Sequence, residues 1–428
     1  MTRVGCSRSR RRAGRASPTG SQQRTHRPGG VPVATTYDVA VIGLGSMGSA
    51  AAAHLASRGR RVLGLDRSGP AADRGAGTGD ARVIRHTYFE RPDYVPLLRR
   101  SYELWDSLDR EPGNSGLIIP TGGLMLGRPH SHTVTASRAS AERWGLPYEV
   151  LGATEIRRRF PAFTPGPDEV GVFEPSAGLV RPEATVAAHL RLAARDGADL
   201  RFAEPVTRWE ALSGGEGVRV VTDGASYTAD RLVVCPGAWA PELLPGLGVP
   251  LTVERQVRYW LEPRDGLGPF LPGRHPVFVW EDRERVRMYG FPAVDGPRGG
   301  VKTGFFRRGR PCTPDSIDRE VRPAEIAEMS GYLATRLPEL PGRFRSATTA
   351  LRTSTPDEHF VLATHPEHAQ VTVAYGFSGY GAMLAPAVGE ILADLATSGS
   401  TAHPIALFDP RRELPLPVGA VPHETGAS

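Results

Sequence analysis

Residues 37–48 read YDVAVIGLGSMG, and this stretch decides the fold. It begins as a β-branched apolar run, which is typical of a buried strand, and it ends in glycines. Small residues in a helical pattern follow from 49 to 57, and a second apolar run at 61–65 leads directly to Asp66. The order of strand, glycine turn, helix and strand predicts a βαβ unit.

The spacing within this unit predicts a dinucleotide-binding turn. Glycines allow a tight turn and let backbone N–H groups approach a pyrophosphate at the N-terminus of the helix. Asp66 comes eighteen positions after Gly48, where a carboxylate accepts hydrogen bonds from a ribose. The alternative is a tight βαβ turn that binds no ligand. The cofactor-binding residues predicted here are Gly43, Gly45, Ser46, Met47, Gly48 and Asp66.

A second glycine-rich unit lies late in the chain. Residues 371–375 are typical of a strand, residues 376–381 (GFSGYG) form a glycine turn, and a helix is predicted from about Pro386 to Ala396. We expect a second helix N-terminus there, facing an anion or a flavin. Its predicted cofactor-binding residues are Gly376, Phe377, Gly379 and Gly381.

The segment between the two units mixes helices and strands. A helix is predicted over residues 94–108, and another begins with Pro182 as its first residue. The predicted strands of an antiparallel sheet are residues 253–261, 277–280 and 286–289.

Composition bounds the class of protein. The 428 residues are about three times the usual length of a single domain, so several globular units are expected. Residues 1–35 hold eight arginines and no acid, and subtracting them from the net charge of +6 leaves −2. We therefore expect a disordered basic leader and no nucleic-acid partner. Three distant cysteines and the lack of a long apolar run argue against disulfides, a metal site and a membrane span, so the expected location is cytoplasmic.

Six motifs, in this order along the chain, resemble those of the monomeric sarcosine oxidase and N-methyltryptophan oxidase family. The resemblance covers residues from about 36 to 412. The motifs are the turn at 43–48 with Asp66, GDARVIRH at 79–86, VCPGAW at 234–239, GVKTG at 300–304, TPDEHF at 355–360 and GFSG at 376–379.

The resemblance implies an FAD-dependent amine oxidase of the D-amino-acid oxidase superfamily. Its fold class is α/β, with a Rossmann-type FAD-binding domain and a second, mostly antiparallel-sheet substrate domain. Such enzymes oxidise the carbon beside an amine nitrogen to an imine and pass the electrons to oxygen as hydrogen peroxide. The expected partners are a small-molecule amine and oxygen, and the chain is expected to act as a monomer. The implied domains are residues 36–117, 178–248 and 355–412 for FAD, residues 118–177 and 249–354 for the substrate, and a tail at 413–428.

Composition and resemblance both single out Lys302. It is the single lysine among 52 lysine and arginine residues, and arginine cannot replace a compact ammonium whose pKa is adjustable. In the family this position holds a catalytic lysine beside the flavin that favours electron transfer to oxygen. The resemblance also gives Gly79 and Arg82 as neighbours of the flavin, with Arg82 in a catalytic role, and Arg85 as the group that binds the substrate carboxylate. The alternatives are an incidental surface lysine and arginines that form ion pairs between domains.

The chain departs from the family pattern at the substrate end. Ala350 stands where the family carries the cysteine of a flavin thioether, so noncovalent FAD is predicted. Met383 replaces a carboxylate-binding lysine, and Arg352, which replaces a tyrosine, is expected to restore that charge. Phe306 and Tyr380 each replace a histidine. A substrate larger and more apolar than sarcosine is therefore predicted, bound by Arg85, Arg352, Phe306, Tyr380 and Met383.

Three other functions stay open. An FAD-dependent amine dehydrogenase would use an acceptor other than oxygen, although Lys302 favours oxygen. A flavin monooxygenase would share the first glycine turn, but we expect it to carry Gly-Ala-Asp-Gly where this chain has Gly237-Ala238-Trp239. A basic-tailed nucleic-acid binder would depend on residues 1–35 alone.

Overall fold

The structure is a computed structural model, and it describes residues 36–70, 81–296 and 299–415. The expected basic leader, residues 416–428 of the expected tail, and the predicted cofactor-binding Gly79 lie outside the described residues.

Twenty strands and eight α-helices form within the described ranges. The strands are β1 (Thr36–Ile42), β2 (Val62–Leu65), β3 (Arg82–Ile84), β4 (Ile118–Pro120), β5 (Gly123–Gly127), β6 (Glu149–Gly152), β7 (Val170–Glu174), β8 (Gly178–Val180), β9 (Asp199–Arg201), β10 (Val206–Ala211), β11 (Val218–Thr222), β12 (Ser226–Val234), β13 (Thr252–Glu262), β14 (Val277–Glu281), β15 (Arg287–Phe291), β16 (Val301–Phe306), β17 (Arg310–Pro311), β18 (Arg343–Ser354), β19 (Val361–Thr364) and β20 (Val371–Tyr375). The helices are α1 (Ser46–Ser57), α2 (Val95–Asp109), α3 (His132–Trp144), α4 (Ala153–Arg159), α5 (Pro182–Arg195), α6 (Ala240–Leu243), α7 (Pro323–Ala334) and α8 (Gly381–Ser398).

The first sheet has the order β10-β11-β12-β1-β2-β9, with β20 paired to β12 and β19 to β20. β1 is parallel to both β2 and β12. Its residues alternate between two cores, with Val39 and Val41 in one and Ala40 and Ile42 in the other. Both faces of the strand are therefore covered, which is why its sequence is an unbroken apolar run. This is the predicted Rossmann-type arrangement.

Helix α1 follows β1 and packs against α5 and α8. Helices α1 and α8 approach each other closely where Gly389 of α8 meets Ala50 of α1. A Cβ on Gly389 would overlap Ala50, so the close approach requires glycine at this position. At the helix beginnings, a Cβ on Gly381 would lie 2.6 Å from the Met47 side chain. The packing thus brings the two glycine turns side by side.

Helix α8 corrects one prediction. We expected it to begin near Pro386, but it begins at Gly381 and contains Pro386. A proline inside a helix removes one backbone hydrogen bond, and in exposed helices this costs about 3 kcal/mol. Most residues of α8 are buried, so their packing outweighs that cost.

The second sheet has the order β17-β13-β16-β15-β14-β5-β7-β6, and β18 pairs with β13. All its pairings are antiparallel except that between β5 and β14. The predicted second, mostly antiparallel sheet is therefore present, although β15 extends two residues further than predicted. A small third sheet has the order β3-β8-β4. The strands of the first two sheets follow the predicted division of the chain, and the domain boundaries stay a prediction.

Across the described ranges, no helix combines the length and apolar character needed to cross a bilayer.

Candidate active site

A cavity of about 680 Å³ is lined by residues of both large sheets and both glycine turns. Residues 42–47 contribute the first turn, and residues 376–383 contribute the second. Gln256 and Arg258 of β13 and Arg352 of β18 come from the second sheet. The two glycine turns predicted separately from the sequence therefore face the same cavity.

The glycines of the first turn serve different purposes. Gly43 has φ +84°, and a Cβ there would overlap the carbonyl oxygen of Cys235. A Cβ on Gly48 would overlap the carbonyl oxygen of Gly43. By contrast, a Cβ on Gly45 would have no atom within 4 Å. Gly43 and Gly48 are therefore required by the backbone itself, whereas Gly45 leaves space open beside the cavity.

Helix α1 begins at this turn without a side-chain cap. Its first N–H groups have no partner within the helix, as at any helix N-terminus, and Ser46 and Met47 line the cavity. Helix α8 also begins without a side-chain cap, after Tyr380. Two helix N-termini thus open into the cavity, and each carries a partial positive charge that favours an anion.

Asp66 lies at the end of β2 and lines the cavity. Its carboxylate accepts hydrogen bonds from the backbone N–H groups of Leu44 (2.7 Å) and Ser68 (2.8 Å). Burial raises the pKa of this carboxyl above its ordinary value. These two bonds fix the side chain beside the first turn, and its binding to a ribose stays a prediction.

The second turn is held by contacts of its own backbone. The Ser378 N–H donates to the Thr353 carbonyl of β18 at 2.8 Å. The Met383 carbonyl accepts hydrogen bonds from Ser101 and from the Trp105 indole. The ring of Phe377 stacks on that of Phe360. The beginning of α8 is therefore tied to β18 and to helix α2, while Tyr380 and Met383 line the cavity.

Lys302 is buried in β16 and is not a surface residue, since only 4% of it is exposed. Its ammonium donates a hydrogen bond to the Ala81 carbonyl at 2.8 Å and lies 5.1 Å from the ring centre of Phe291. Ala81 and Phe291 both line the cavity. The ammonium therefore lies directly behind the cavity wall. Arg82 lines the cavity too, and its guanidinium donates to the same Ala81 carbonyl.

The predicted carboxylate-binding arginines, Arg85 and Arg352, line the cavity near Phe306 and Tyr380. We call this end the substrate end because substrate binding is predicted there. Each arginine contacts a glutamate of this chain. Arg85 is 2% exposed and donates to both oxygens of Glu90, at 2.7 and 2.8 Å. Arg352 donates to Glu254 at 2.7 Å and to Glu358 at 3.2 Å. The sequence reasoning did not predict these glutamate partners.

Apolar and aromatic side chains complete this end. The ring of Phe306 lies 6.3 Å from that of Tyr380 and 5.9 Å from that of Phe89. Burial raises the pKa of the Tyr380 phenol, so it stays neutral at physiological pH. The five residues predicted to bind substrate all line the cavity: Arg85, Arg352, Phe306, Tyr380 and Met383.

Sequence reasoning missed several polar residues of the wall, among them Arg307, Gln256 and Arg258. The guanidinium of Arg307 donates to the Tyr380 hydroxyl and pairs with Glu358. Gln256 and Arg258 share a face of β13. Their spacing of two residues within a predicted strand could have shown that both side chains lie on the same face. Arg307 was harder to identify from the sequence, because it is one of two adjacent arginines in an FFRR run at the end of β16.

Two buried donors that line the cavity have no hydrogen-bond partner in the described part of the chain. They are the indole N–H of Trp239 and the side-chain amide nitrogen of Gln256. Buried polar groups normally find partners, so these donors point to a ligand. In the described residues no cluster of histidine, cysteine or acidic side chains could hold a metal ion.

Comparison with known proteins agrees with this geometry. Residues 38–395 match the protein family described as FAD dependent oxidoreductase (DAO). A monomeric sarcosine oxidase of Streptomyces avermitilis is 57% identical over 378 residues, which are 88% of this chain and 98% of that protein. An N-methyl-L-tryptophan oxidase of Yersinia pestis (strain Pestoides F) is 34% identical over 376 residues, which are 87% of this chain and 98% of that protein.

A solved structure with the same fold is the open form of NikD, described as an unusual amino acid oxidase essential for nikkomycin biosynthesis. Its TM-score is 0.77 at 27% identity, over 88% of this chain and 97% of NikD. The predicted fold class and the predicted resemblance are therefore confirmed. The chain belongs to the FAD-dependent oxidoreductase family, together with the monomeric sarcosine oxidases and N-methyltryptophan oxidases.

Proposed function

We propose that this chain oxidises a secondary amine or amino acid larger than sarcosine, N-methylated or cyclic, to an imine, with oxygen as the acceptor and hydrogen peroxide as the second product. The sarcosine and N-methyltryptophan oxidases among its relatives support the amine-oxidising class. The observation that carries the proposal is the cavity of about 680 Å³. It joins two helix N-termini to an aromatic substrate end, with a buried ammonium behind its wall. The proposal includes a monomer located in the cytoplasm.

The residues of the cavity fit FAD. Two uncapped helix N-termini suit a pyrophosphate, and the open side of Gly45 leaves room beside the first turn. The indole N–H of Trp239 and the side-chain amide of Gln256, which lack a partner in the described residues, support a polar ligand in this cavity. The residues that would hold it are Gly43, Gly45, Ser46, Met47 and Asp66 at the first turn, Arg82 at the wall, and Gly376, Phe377, Gly379 and Gly381 at the second turn.

We propose that the FAD is held without a covalent bond. Ala350, where the family attaches its flavin, is buried in β18 opposite Gln256 of β13. Cys235 lines the cavity, but burial raises the pKa of its thiol, which keeps it in the unreactive neutral form.

When bound, FAD accepts the two electrons that leave the carbon–hydrogen bond beside the amine nitrogen. The side chains of this chain orient the substrate. Arg85 and Arg352 supply positive charge for a carboxylate, and Phe306, Tyr380 and Met383 exclude water around an apolar substituent. The Lys302 ammonium supplies a fixed positive charge that stabilises negative charge developing on oxygen as it is reduced.

The absorbance spectrum of the purified holoenzyme tests the proposal. Anaerobic addition of a secondary amine should bleach the flavin band, and readmitted air should restore it with release of hydrogen peroxide. The substrate panel compares sarcosine with larger N-methyl and cyclic amino acids. Bleaching by sarcosine alone would contradict the predicted size, and bleaching without re-oxidation in air would indicate a dehydrogenase.

A further inference from the structure

A second cavity, of about 140 Å³, adjoins the first at the substrate end. Arg307 and Tyr380 line both cavities, so these two side chains form the partition between them. The Arg307 guanidinium donates to the Tyr380 hydroxyl, with its Nε at 2.9 Å.

Glu358 lies at this partition and lines the second cavity. Its carboxylate pairs with Arg307 and, at 3.2 Å, with Arg352. Arg352 has a nearer acid in Glu254, at 2.7 Å, and does not depend on Glu358. Within the described ranges, Glu358 is the one carboxylate within ion-pair distance of Arg307. It is also the more exposed of the two glutamates, with 32% of its side chain accessible against 19% for Glu254.

Both members of this ion pair have a left-handed backbone. The φ angle is +57° at Arg307 and +59° at Glu358. Side chains other than glycine rarely adopt this conformation, and such residues concentrate at ligand-binding sites. The fold therefore holds both residues in a disfavoured conformation that directs them towards each other.

Three arginines at this end of the large cavity each pair with an acid of this chain. Arg85 pairs with Glu90, Arg307 with Glu358, and Arg352 with Glu254. A substrate carboxylate that binds Arg307 must therefore compete with Glu358. Glu358 has room to withdraw in the second cavity, where the buried Tyr88 hydroxyl has no partner in the described residues.

We propose that Arg307 is a specificity-determining, substrate-binding residue, and that Glu358 is a resident carboxylate which a substrate carboxylate displaces from it. The inference rests on the proposed function and adds to it a third carboxylate-binding arginine and the resident acid that a substrate carboxylate displaces. An amine without a carboxylate leaves Glu358 in place and gains no contact with Arg307.

Binding of a non-oxidisable carboxylate to the holoenzyme tests this exchange, with phenylacetate as the probe and calorimetry as the readout. Arg307→Gln should raise the Kd about 10- to 100-fold, the usual worth of a charge-assisted hydrogen bond. Arg307→Lys should recover part of the affinity. Glu358→Gln should lower the Kd, because it removes the competing charge. The two neutral substitutions are therefore expected to act in opposite directions, which an ion pair remote from the bound carboxylate would not produce.

Steady-state kinetics provide the second readout. Arg307→Gln should raise KM for N-methyl-L-phenylalanine and leave that for N-methylphenethylamine, which lacks the carboxylate, nearly unchanged. Each of three results would overturn the exchange. They are weaker phenylacetate binding in Glu358→Gln, unaltered binding in Arg307→Gln, and no binding by the wild-type enzyme. Failure of every secondary amine to bleach the flavin would instead refute the proposed function, because phenylacetate binding is measured without turnover.

Discussion

The ammonium of Lys302 donates a 2.8 Å hydrogen bond to the carbonyl oxygen of Ala81. Arg82 donates to the same oxygen, also at 2.8 Å. One cation comes from the second sheet and the other from the third, so two separate elements bring positive charge to one backbone oxygen at the cavity wall. This contact fixes the direction of the Lys302 side chain, as a preorganised electrostatic role requires.

We expect Lys302→Met to slow re-oxidation of the reduced enzyme by oxygen about 10²- to 10³-fold, the usual effect of removing one electrostatic stabiliser. Reduction by substrate should change far less, because the ammonium stabilises charge that develops on oxygen. Stopped-flow mixing of reduced enzyme with aerated buffer measures the first step, and anaerobic mixing with amine measures the second.

The matched control is Lys302→Arg. A guanidinium keeps the charge but spreads it over a broader group, so it should recover only part of the rate. If Lys302→Met were re-oxidised at the wild-type rate, the lysine would have no part in oxygen reduction. The main reason for preferring an oxidase to a dehydrogenase would then be lost.

The parts of this site that the sequence predicts are local. The contact between Gly48 and the Gly43 carbonyl joins residues of one turn, so the motif alone specifies it. The glutamates that pair with the arginines could not be predicted from a local motif. Glu254 is 98 positions away from Arg352, and only the pairing of β13 with β18 brings them together. Arg307 was missed for a similar reason, because its φ angle and its partners are products of tertiary packing.

Two alanine substitutions in the first turn should differ sharply. Gly48→Ala would place a Cβ against the Gly43 carbonyl, and the backbone of the turn would have to shift. We expect the protein to lose FAD during purification and to melt at a lower temperature. Gly45→Ala meets no protein atom and should keep the fold. The flavin-to-protein absorbance ratio and Tm check both variants, and equal values for the two would contradict the proposed division of roles.

Arg85→Met should raise KM for a carboxylated substrate much more than for its decarboxylated analogue. The variant lacks the guanidinium that we expect to bind the substrate carboxylate through two hydrogen bonds. The single variant also leaves Glu90 buried beside an apolar side chain, which costs about 3–5 kcal/mol in comparable buried pairs. Lower stability is therefore expected together with the kinetic change.

The double variant Arg85→Met/Glu90→Gln separates the two effects. It removes the uncompensated charge and should recover much of the lost Tm, while the high KM for the carboxylated substrate remains. If it also recovered the KM, Arg85 would be a structural partner of Glu90 and not a substrate-binding group.

The predicted noncovalent attachment of FAD is checked by acid precipitation. With Ala350 buried in β18 and the Cys235 thiol kept neutral by burial, no described residue of the cavity offers a reactive thiolate. We expect a yellow supernatant and a colourless pellet. Flavin fluorescence that stays with the denatured polypeptide on a gel would contradict this expectation.

Stability should fall in mild acid because of His275, which lies fully buried two residues before β14. Its ring packs 4.7 Å from Phe163 and 5.2 Å from Phe270, and neither ring nitrogen has a partner in the described residues. Burial lowers the pKa of His275 to about 3 from its ordinary value of 6.5. The unfolded chain therefore takes up the proton first as the pH falls. The stability that neutral His275 contributes is complete above pH 6.5 and is lost between there and pH 3.

His275→Phe should remove this part of the acid sensitivity, because a third apolar ring suits the packing around Phe163 and Phe270 and cannot be protonated. The difference in unfolding free energy between variant and wild type should grow by about 1.4 kcal/mol for each pH unit below the ordinary histidine pKa. Urea unfolding of the holoenzyme, followed by circular dichroism from about pH 7.5 to about pH 5, measures this slope.

His275→Leu is the second variant, in case the larger ring strains the site. His189, which is also buried and has its pKa lowered to about 3, stays in both variants, so part of the acid sensitivity should remain. Slopes that match the wild type in both variants would show that His275 is protonated in the folded protein without cost.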